Sequence, residues 1–181
     1  MRKLFLAMMV IACAASFSFA QGSDDYHPYD IYVGYSHNWF DFGNSVEGFN
    51  GVEGAVKGNV SRYIGLKADY AFHFKSFDEG LASVDGSLHT LVGGAELKDN
   101  STETKLKPFA HLMGGFTHLR VSSSFTGTDT NTGLALVAGG GLDVRINRRV
   151  DIRVVQVDYV PTRLGGGWQH NLRVGAGIVF R

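Results

Sequence analysis

The sequence predicts an all-β protein, an eight-stranded antiparallel up-and-down transmembrane β-barrel. Helical periodicity is nearly absent after Gln21, and segments that alternate apolar and polar residues recur instead, as in strands. The connections between these segments are long and short in turn, which is typical of barrels in an outer membrane. No apolar run after the first twenty residues is long enough for a membrane helix, so a membrane span must be β.

The segment 1–20 has the pattern of a cleaved signal peptide. Two basic residues precede an apolar run that is too short for a membrane helix, and Ser-Phe-Ala closes the segment. We therefore expect export, with a mature chain that starts at Gln21 and a short periplasmic segment over 21–28. A lipoprotein cleavage site at Cys13, the one cysteine in the chain, stays open as an alternative.

Composition indicates a folded domain and argues against some partners. The chain has 181 residues, of which 44% are hydrophobic and 19% charged, a balance unlike that of disordered proteins. Its 24 glycines, against 3 prolines, often interrupt apolar runs, which indicates crowded strands with small residues on one face. The formal net charge is zero and no basic stripe is present, so we expect no nucleic-acid partner.

Eight alternating segments follow one another within 29–181, the expected outer-membrane barrel domain. The clearest of them is the third, and its eleven residues match the roughly 9–11 that a tilted transmembrane strand needs. The predicted strands are 29–38, 50–59, 64–74, 87–98, 106–120, 134–146, 150–160 and 171–181. The predicted long connections are 39–49, 75–86, 121–133 and 161–170, and the predicted short ones are 60–63, 99–105 and 147–149.

Charged residues share one phase of the second, third and sixth strands. In the second strand Glu53 and Lys57 oppose Val52 and Val56. A Lys or Arg that faces lipid at the midplane costs about 2–4 kcal/mol, and several would exceed the net stability of a domain, roughly 5–15 kcal/mol. The charged phase is therefore expected to face the lumen.

In two of the predicted strands, apolar and polar residues do not alternate in a way that assigns one face to the lumen. The fifth is apolar on both phases, so its orientation stays open. In the seventh, Asp151 and Arg153 share one phase, whereas Gln156 and Asp158 take the other. A β-bulge near 154–155 would reconcile them, and a position of Asp158 above the membrane is the alternative.

Aromatic residues cluster near both ends of the predicted strands, as interfacial girdles do. Ordinary packing under loops is the alternative for any one of them. Those near the long connections are Trp39, Phe40, Phe42, Phe49, Phe74, Phe77 and Trp168, and those near the short turns are Tyr26, Tyr29, Tyr63 and Phe180.

The stretch 51–69, the run 139–145 and the closing strand resemble the small eight-stranded outer-membrane barrels of the OmpA/OmpX type. The resemblance covers 29–181 and implies a barrel-only protein of a Gram-negative cell envelope, with no peptidoglycan-binding domain.

The family's closing strand resembles the pattern polar-x-Gly-x-x-apolar-x-aromatic, and the barrel-assembly machinery reads it. Arg173, Gly175, Ile178 and Phe180 occupy these places here, and Arg181 lies one residue beyond the usual end. The resemblance therefore implies that Gly175, Ile178 and Phe180 are an assembly signal, with the assembly machinery as a partner during biogenesis.

We expect inward charges to form a lumen charge network. Opposite charges should pair, because an unpaired buried charge is costly. Eight strands enclose an interior just wide enough for side chains to fill, so the network should plug the lumen. The expected members are Glu53, Lys57, Lys67, Asp69, Glu96, Lys98, Asp143, Arg145, Arg153 and Arg173.

Nothing in the sequence predicts catalytic, cofactor-binding or metal-binding residues. No two of the seven histidines, nor a His and the Cys, have metal-ligand spacing. Ser36 precedes His37, but neighbours in a strand point to opposite faces, so they form no catalytic pair.

We therefore expect an outer-membrane protein with a structural or surface-interaction role, and not an enzyme. Its expected partners are outer-membrane lipids, lipopolysaccharide and an unknown surface ligand at the long connections. A small-solute porin or gated narrow channel is the first alternative, and a lipid-modifying outer-membrane enzyme is the second.

Overall fold

A computed structural model describes residues 26–41, 43, 45–79, 82–123 and 127–181. The predicted signal peptide, most of the periplasmic segment, Phe42 and the side chain of Phe77 lie outside what is described. Each strand pairs antiparallel with the next in sequence, and the eighth pairs with the first, so the sheet is a closed barrel. This confirms the predicted fold class. No helix in the described ranges has the length and hydropathy needed to cross a bilayer.

The eight strands occur in the predicted order. They are β1 (Tyr29–Asp41), β2 (Val46–Asn59), β3 (Ile64–Glu79), β4 (Ala82–Lys98), β5 (Leu106–Ser123), β6 (Gly127–Arg145), β7 (Val150–Leu164) and β8 (Gly167–Phe180). Short connections at 60–63, 99–105 and 146–149 define the turn end of the barrel, and the opposite end is the rim end.

All eight strands are longer at the rim end than the sequence predicts. β6 begins at Gly127 instead of residue 134, and β3 continues to Glu79 instead of ending at residue 74. The predicted long connections are therefore mostly strand. Alternation of apolar and polar residues marks only the part of a strand that has one apolar and one polar face. Backbone pairing continues beyond that part, toward the rim end, where both faces are polar.

Connections at the rim end are correspondingly short. Gly165 and Gly166 alone join β7 to β8, with φ angles of 60° and 88°. Positive φ at both central residues is what a type I′ two-residue hairpin requires, and glycine adopts it at no steric cost.

Side chains alternate between the lumen and the outer face along the strands, with the charged phase inside. β5, whose orientation the sequence left open, turns Lys107, His111 and Thr117 into the lumen. Its outward residues include Leu112, which is 68% exposed, and Phe116, which is 60% exposed. The outer face thus carries a belt of large exposed apolar side chains.

A β-bulge interrupts β7. Arg153 pairs with Gly177 of β8 and Gln156 pairs with Gly175, so β7 has one residue more than its partner over this step. Val154 and Val155 both face outward. This confirms the predicted bulge, which leaves Gln156 and Asp158 in the lumen.

Candidate functional site

The structure buries nine of the ten predicted network residues in the lumen: Glu53, Lys57, Lys67, Asp69, Glu96, Lys98, Asp143, Arg153 and Arg173. Arg145 is the exception. It lies at the last position of β6, is half-buried, and forms no ion pair with any residue that the structure describes. Because the strand ends there, its side chain is less enclosed than those of the other nine.

Arg173 is the centre of the network nearer the rim end. Its guanidinium lies 2.7 Å from Asp158, 3.2 Å from Asp69 and 3.6 Å from Glu53. The three carboxylates belong to β7, β3 and β2, so one side chain of β8 connects strands around the barrel. The arginine fork can satisfy several acceptors at once, which suits it to this buried position.

Close packing of backbone beside Asp158 is possible because residue 139 is glycine. A Cβ at Gly139 would lie 2.1 Å from a carboxylate oxygen of Asp158 and 2.5 Å from the carbonyl oxygen of Val157. Contacts under 3.0 Å essentially never occur for a real Cβ. Gly139 therefore leaves the space in which Asp158 meets Arg173.

Lysine side chains dominate the network nearer the turn end. Lys57 lies 2.8 Å from Asp30 and 2.9 Å from Glu96. Lys98 lies 2.8 Å from Asp30 and 3.0 Å from Asp143. Each lysine is shared between carboxylates of different strands, so the contacts form a chain of charges and not separate pairs.

Arg153 is held between a carboxylate and two aromatic rings. Its Nε lies 2.8 Å from Asp143, and its Nη1 donates to Gln156 at 2.6 Å. The guanidinium carbon lies 4.3 Å from the ring centre of Tyr32 and 4.0 Å from that of Phe109. Desolvated cation–π contacts of this kind add to the ion pair.

His111 and Lys67 connect the two halves of the network. His111 Nε2 lies 2.8 Å from Asp158, and its Nδ1 lies 4.0 Å from Glu96. Lys67 lies 3.2 Å from Asp69 and 3.9 Å from Glu96. Glu96 is therefore common to both halves, and the contacts form one continuous system.

The mouth at the turn end extends this system. Arg181 lies 2.5 Å from Asp151 and 3.6 Å from Asp30, and Lys107 lies 3.8 Å from Asp151. Lys107 also donates to the carbonyl oxygen of Ser101 at 2.8 Å. Arg181, directly after β8, thus contributes a buried cation.

Among the described residues, and with His111 left aside, the carboxylates and the Lys and Arg side chains of the network balance in number. The sequence predicted four acidic and six basic members, whereas the observed ion pairs join as many carboxylates as lysine and arginine side chains. The carboxylates are Asp30, Glu53, Asp69, Glu96, Asp143, Asp151 and Asp158, and the cations are Lys57, Lys67, Lys98, Lys107, Arg153, Arg173 and Arg181. Balance favours pairing in a low-dielectric interior, where an unmatched charge is costly.

An apolar cluster fills the lumen at the rim end, and we call it the cap. Phe40, Phe49, Leu88 and Leu164 form it, with Leu119 packed against them. The rings of Phe40 and Phe49 meet edge to face at 6.3 Å.

The girdle expectation was wrong for Phe40 and Phe49, which pack inside the lumen. Among the other described aromatics, Trp39, Phe74, Trp168, Tyr29, Tyr63 and Phe180 are exposed on the outer face. Their positions at the two ends of the strands match the expected girdles.

Ser36 does have a histidine partner, but it is not His37. Its hydroxyl lies 2.9 Å from His73 Nε2, with both side chains buried in the lumen. His73 Nδ1 has no hydrogen-bond partner among the described residues, so no acid orients this imidazole as in a hydrolytic triad. No cluster of metal-ligating side chains occurs in the described part of the chain.

The closing strand places the predicted assembly signal at the seam. Ile178 and Phe180 face outward and pair with Val33 and Ile31 of β1, and Gly175 faces the lumen. β8 therefore supplies the last edge of the sheet.

Solved structures of two bacterial proteins share this fold. Ail, the attachment invasion locus protein of Yersinia pestis, matches with a TM-score of 0.61 and 18% identity over 84% of this chain and 97% of that chain. Ail in complex with the heparin analogue sucrose octasulfate gives 0.60 and 17%, with coverages of 84% and 97%. Neisserial surface protein A gives 0.67 and 12%, with coverages of 87% and 99%.

No family model matches the chain, and neither does any curated protein sequence. At these low identities the likeness concerns architecture. The chain has the fold of the small eight-stranded outer-membrane β-barrels.

Proposed function

We propose that this chain is an integral outer-membrane β-barrel with a structural or surface-interaction role and a lumen plugged by charged side chains. The observation that carries the proposal is the distribution of side chains. Large apolar residues cover the outside, whereas charges fill the inside. Soluble barrels of the lipocalin type have the opposite arrangement.

The outer belt supports insertion into lipid. Exposed side chains include Leu112, Phe116, Val52 and Leu91, all more than half exposed. Soluble monomers rarely expose contiguous apolar patches above a few hundred Å². A closed barrel also satisfies the backbone hydrogen bonds that lipid cannot, so the same surface is stable in a bilayer.

The filled lumen supports a plugged barrel over a porin. The charge network occupies the lumen from the turn end up to Arg173, and the cap occupies the rim end. The cavity between Asp30, Glu96 and Arg153 has a volume of about 10 Å³, enough for on the order of one water molecule. A continuous path for solutes would require these side chains to move.

The names of the structural neighbours support a surface role. Ail is named the attachment invasion locus protein and NspA a surface protein. We infer that this barrel likewise presents its rim end outward, with lipopolysaccharide around it and a surface ligand above it. We also infer that it is not an enzyme, since Ser36 and His73 are enclosed beneath the cap.

A gel-shift experiment tests membrane insertion. The mature chain should refold into detergent or lipid vesicles, and unheated samples should migrate differently from boiled ones. The same mature chain, kept without detergent or lipid, is the control. A chain that stays soluble and monomeric without detergent would contradict the proposal.

Planar-bilayer recording tests the plugged lumen. The unmutated barrel should show little or no steady conductance, because charged and apolar side chains both obstruct it. Large steady conductance would favour the porin alternative. Lipid analysis after expression addresses the enzymatic alternative in the same samples.

We infer that the signal peptide 1–20 is removed and that Gly175, Ile178 and Phe180 direct assembly. Deletion of Phe180 and Arg181 removes the pairing of β8 with Ile31 and exposes an edge that lipid cannot satisfy. Heat-shifting barrel should then disappear from outer-membrane fractions. Arg181→Lys is the matched control, because it keeps the strand, its outward aromatic and a cation beside Asp151. Normal assembly of the deletion would refute the signal.

A further inference from the structure

A cleft on the outer face lies at the rim end of β3, β4 and β5. Its volume is about 340 Å³, within the range of roughly 300–1,000 Å³ that small-molecule sites occupy. The outward-facing side chains that line it are Phe74, Ser76, Asp85, Ser87, Arg120 and Ser122, and Lys75 and Gly86 line it from the inward phase. The charge network and the cap do not contribute to it.

The cleft combines a cation on its outward phase, Arg120, with hydroxyls and an aromatic ring, while the second lining cation, Lys75, is paired with Glu47. Arg120 is exposed and forms no ion pair with any described residue, so its guanidinium is available to a ligand. Ser87 is its cross-strand partner, and Phe74 is 53% exposed beside them. A guanidinium binds a phosphate through two parallel hydrogen bonds, and serine hydroxyls can form hydrogen bonds with the oxygens of a sugar.

The single carboxylate narrows the ligand class. Asp85 lines the same cleft as Arg120, and it would repel a bare, multiply charged anion while accepting hydrogen bonds from hydroxyl groups. A sugar that carries a phosphate offers both groups at once. The lining therefore fits a phosphorylated sugar better than inorganic phosphate.

The residues below the cleft indicate where such a sugar is attached. Three cross-strand pairs follow one another down the outer face: Ser87 with Arg120, His89 with His118, and Leu91 with Phe116. The imidazole rings lie 6.4 Å apart, and Leu91 and Phe116 are 58% and 60% exposed in the apolar belt. The surface thus changes from lipid-compatible to cationic within three pairs.

We propose that this cleft binds the phosphorylated sugar headgroup of an outer-leaflet glycolipid, with acyl chains against Leu91 and Phe116. The proposal rests on the membrane insertion proposed above and names one partner of the rim. The continuous surface from the belt to Arg120 favours a membrane-anchored ligand over a soluble saccharide.

Native mass spectrometry of the folded barrel in detergent tests the proposal, with lipid A as the probe. Arg120→Gln should lower retention of lipid A about tenfold, because one charge-assisted bidentate contact is lost. Arg163→Gln, an exposed arginine on β7 outside the cleft, should retain the unmutated level. Equal losses in both variants would refute a specific site.

Two further ligands test separately whether binding requires the phosphate group and whether it requires the acyl chains. Dephosphorylated lipid A should bind about as weakly as lipid A binds to Arg120→Gln, and equal binding of both lipids would refute the phosphate contact. Glucosamine phosphate without acyl chains should bind weakly, and binding as tight as lipid A would refute the membrane-anchored ligand.

A second variant guards against misfolding. Ser87→Asp puts a negative charge opposite Arg120 and should lower lipid A retention as Arg120→Gln does. Each variant is first checked for the heat-dependent gel shift. A missing shift in the unmutated protein would refute the membrane proposal, whereas a normal shift with unchanged retention in both variants would refute the cleft alone.

Discussion

From the turn end up to Arg173 the lumen holds a balanced set of carboxylates, lysines and arginines, whereas at the rim end it holds Phe40, Phe49, Leu88 and Leu164. Both regions exclude solutes, but they do so by different physics. The cap is stabilised by burial of apolar area, which is not directional. The network requires each charge to meet its partners, and it therefore specifies which strands lie opposite one another.

The energetic consequences differ accordingly. Removal of one charge from a buried network leaves its partners unmatched, and the cost is about 3–5 kcal/mol. Removal of apolar atoms from the cap costs transfer energy plus a cavity, and the surroundings can relax. The comparison therefore indicates that substitutions in the charge network should destabilise the barrel more than substitutions in the cap, although the network consists of polar side chains.

Arg173→Ala should have the largest effect. It leaves Glu53, Asp69 and Asp158 without their shared cation, so the free energy of unfolding should fall by about 3–5 kcal/mol. Denaturant unfolding in lipid vesicles, followed by the gel shift, measures it. A loss smaller than that of a cap variant would invert the comparison.

Leu88→Ala should have the next effect. Leu88 is 1% exposed within the cap, and its truncation should lower the free energy of unfolding by about 3 kcal/mol. Conductance should stay low, because the network still closes the turn end. Leu97→Ala, on the outer face, is the matched control and should lose less. A large new conductance in Leu88→Ala would show that the cap alone seals the barrel.

Asp99→Asn should have a small and pH-dependent effect. Asp99 lies in the turn after β4 and accepts hydrogen bonds from Arg62 at 3.1 Å and Thr104 at 2.8 Å. Partial burial would raise the pKa of Asp99, but these hydrogen bonds outweigh it and hold the pKa below its ordinary value.

A lowered folded-state pKa stabilises the fold above the unfolded-state value of about 4, and the contribution is lost as the pH falls through the folded-state pKa. Asp99→Asn should therefore cost about 0–1 kcal/mol at neutral pH and less in acid. Unfolding at two pH values measures the difference, and a cost that grows in acid would contradict the assignment.

Arg145→Ala should have the smallest effect, within about 0.5 kcal/mol. Arg145 lies at the end of β6 and has no ionic partner among the described residues. The same unfolding experiment that uses Arg173→Ala provides the contrast. A loss comparable to that of Arg173→Ala would place Arg145 inside the network after all.

The alternation of residue types predicted the number, order and inward phase of the strands because lipid and lumen impose opposite demands on adjacent residues. The same rule explains what it missed. Above the belt both faces are wet, so alternation stops while pairing continues, and β6 extends to Gly127. β5 has apolar groups such as Phe109 and Met113 inside as well as outside, so periodicity could not orient it.

Membership of the network was harder to predict than burial. Asp30 and Lys107 join it through strand register and tilt, which bring side chains of distant strands together. Phe40 and Phe49 were assigned to the girdles because they lie just outside the predicted strands 29–38 and 50–59, where no inward phase was read; the observed β1 and β2 include them. Arg145 was assigned by phase alone, and phase does not show where the lumen ends.

The bulge in β7 also bears on how this chain tolerates length changes. A one-residue insertion or deletion in a strand moves every later side chain to the opposite face. At Val154 and Val155, β7 already contains one residue more than β8, and the bulge keeps the later side chains on their proper faces. Deletion of Val154 leaves Arg153 and Gln156 on the inner face, whereas deletion of Val157 sends Asp158 toward lipid. Only the second deletion should abolish the heat-shifted barrel, so β7 holds a position at which the gene can lose a codon without inverting the protein.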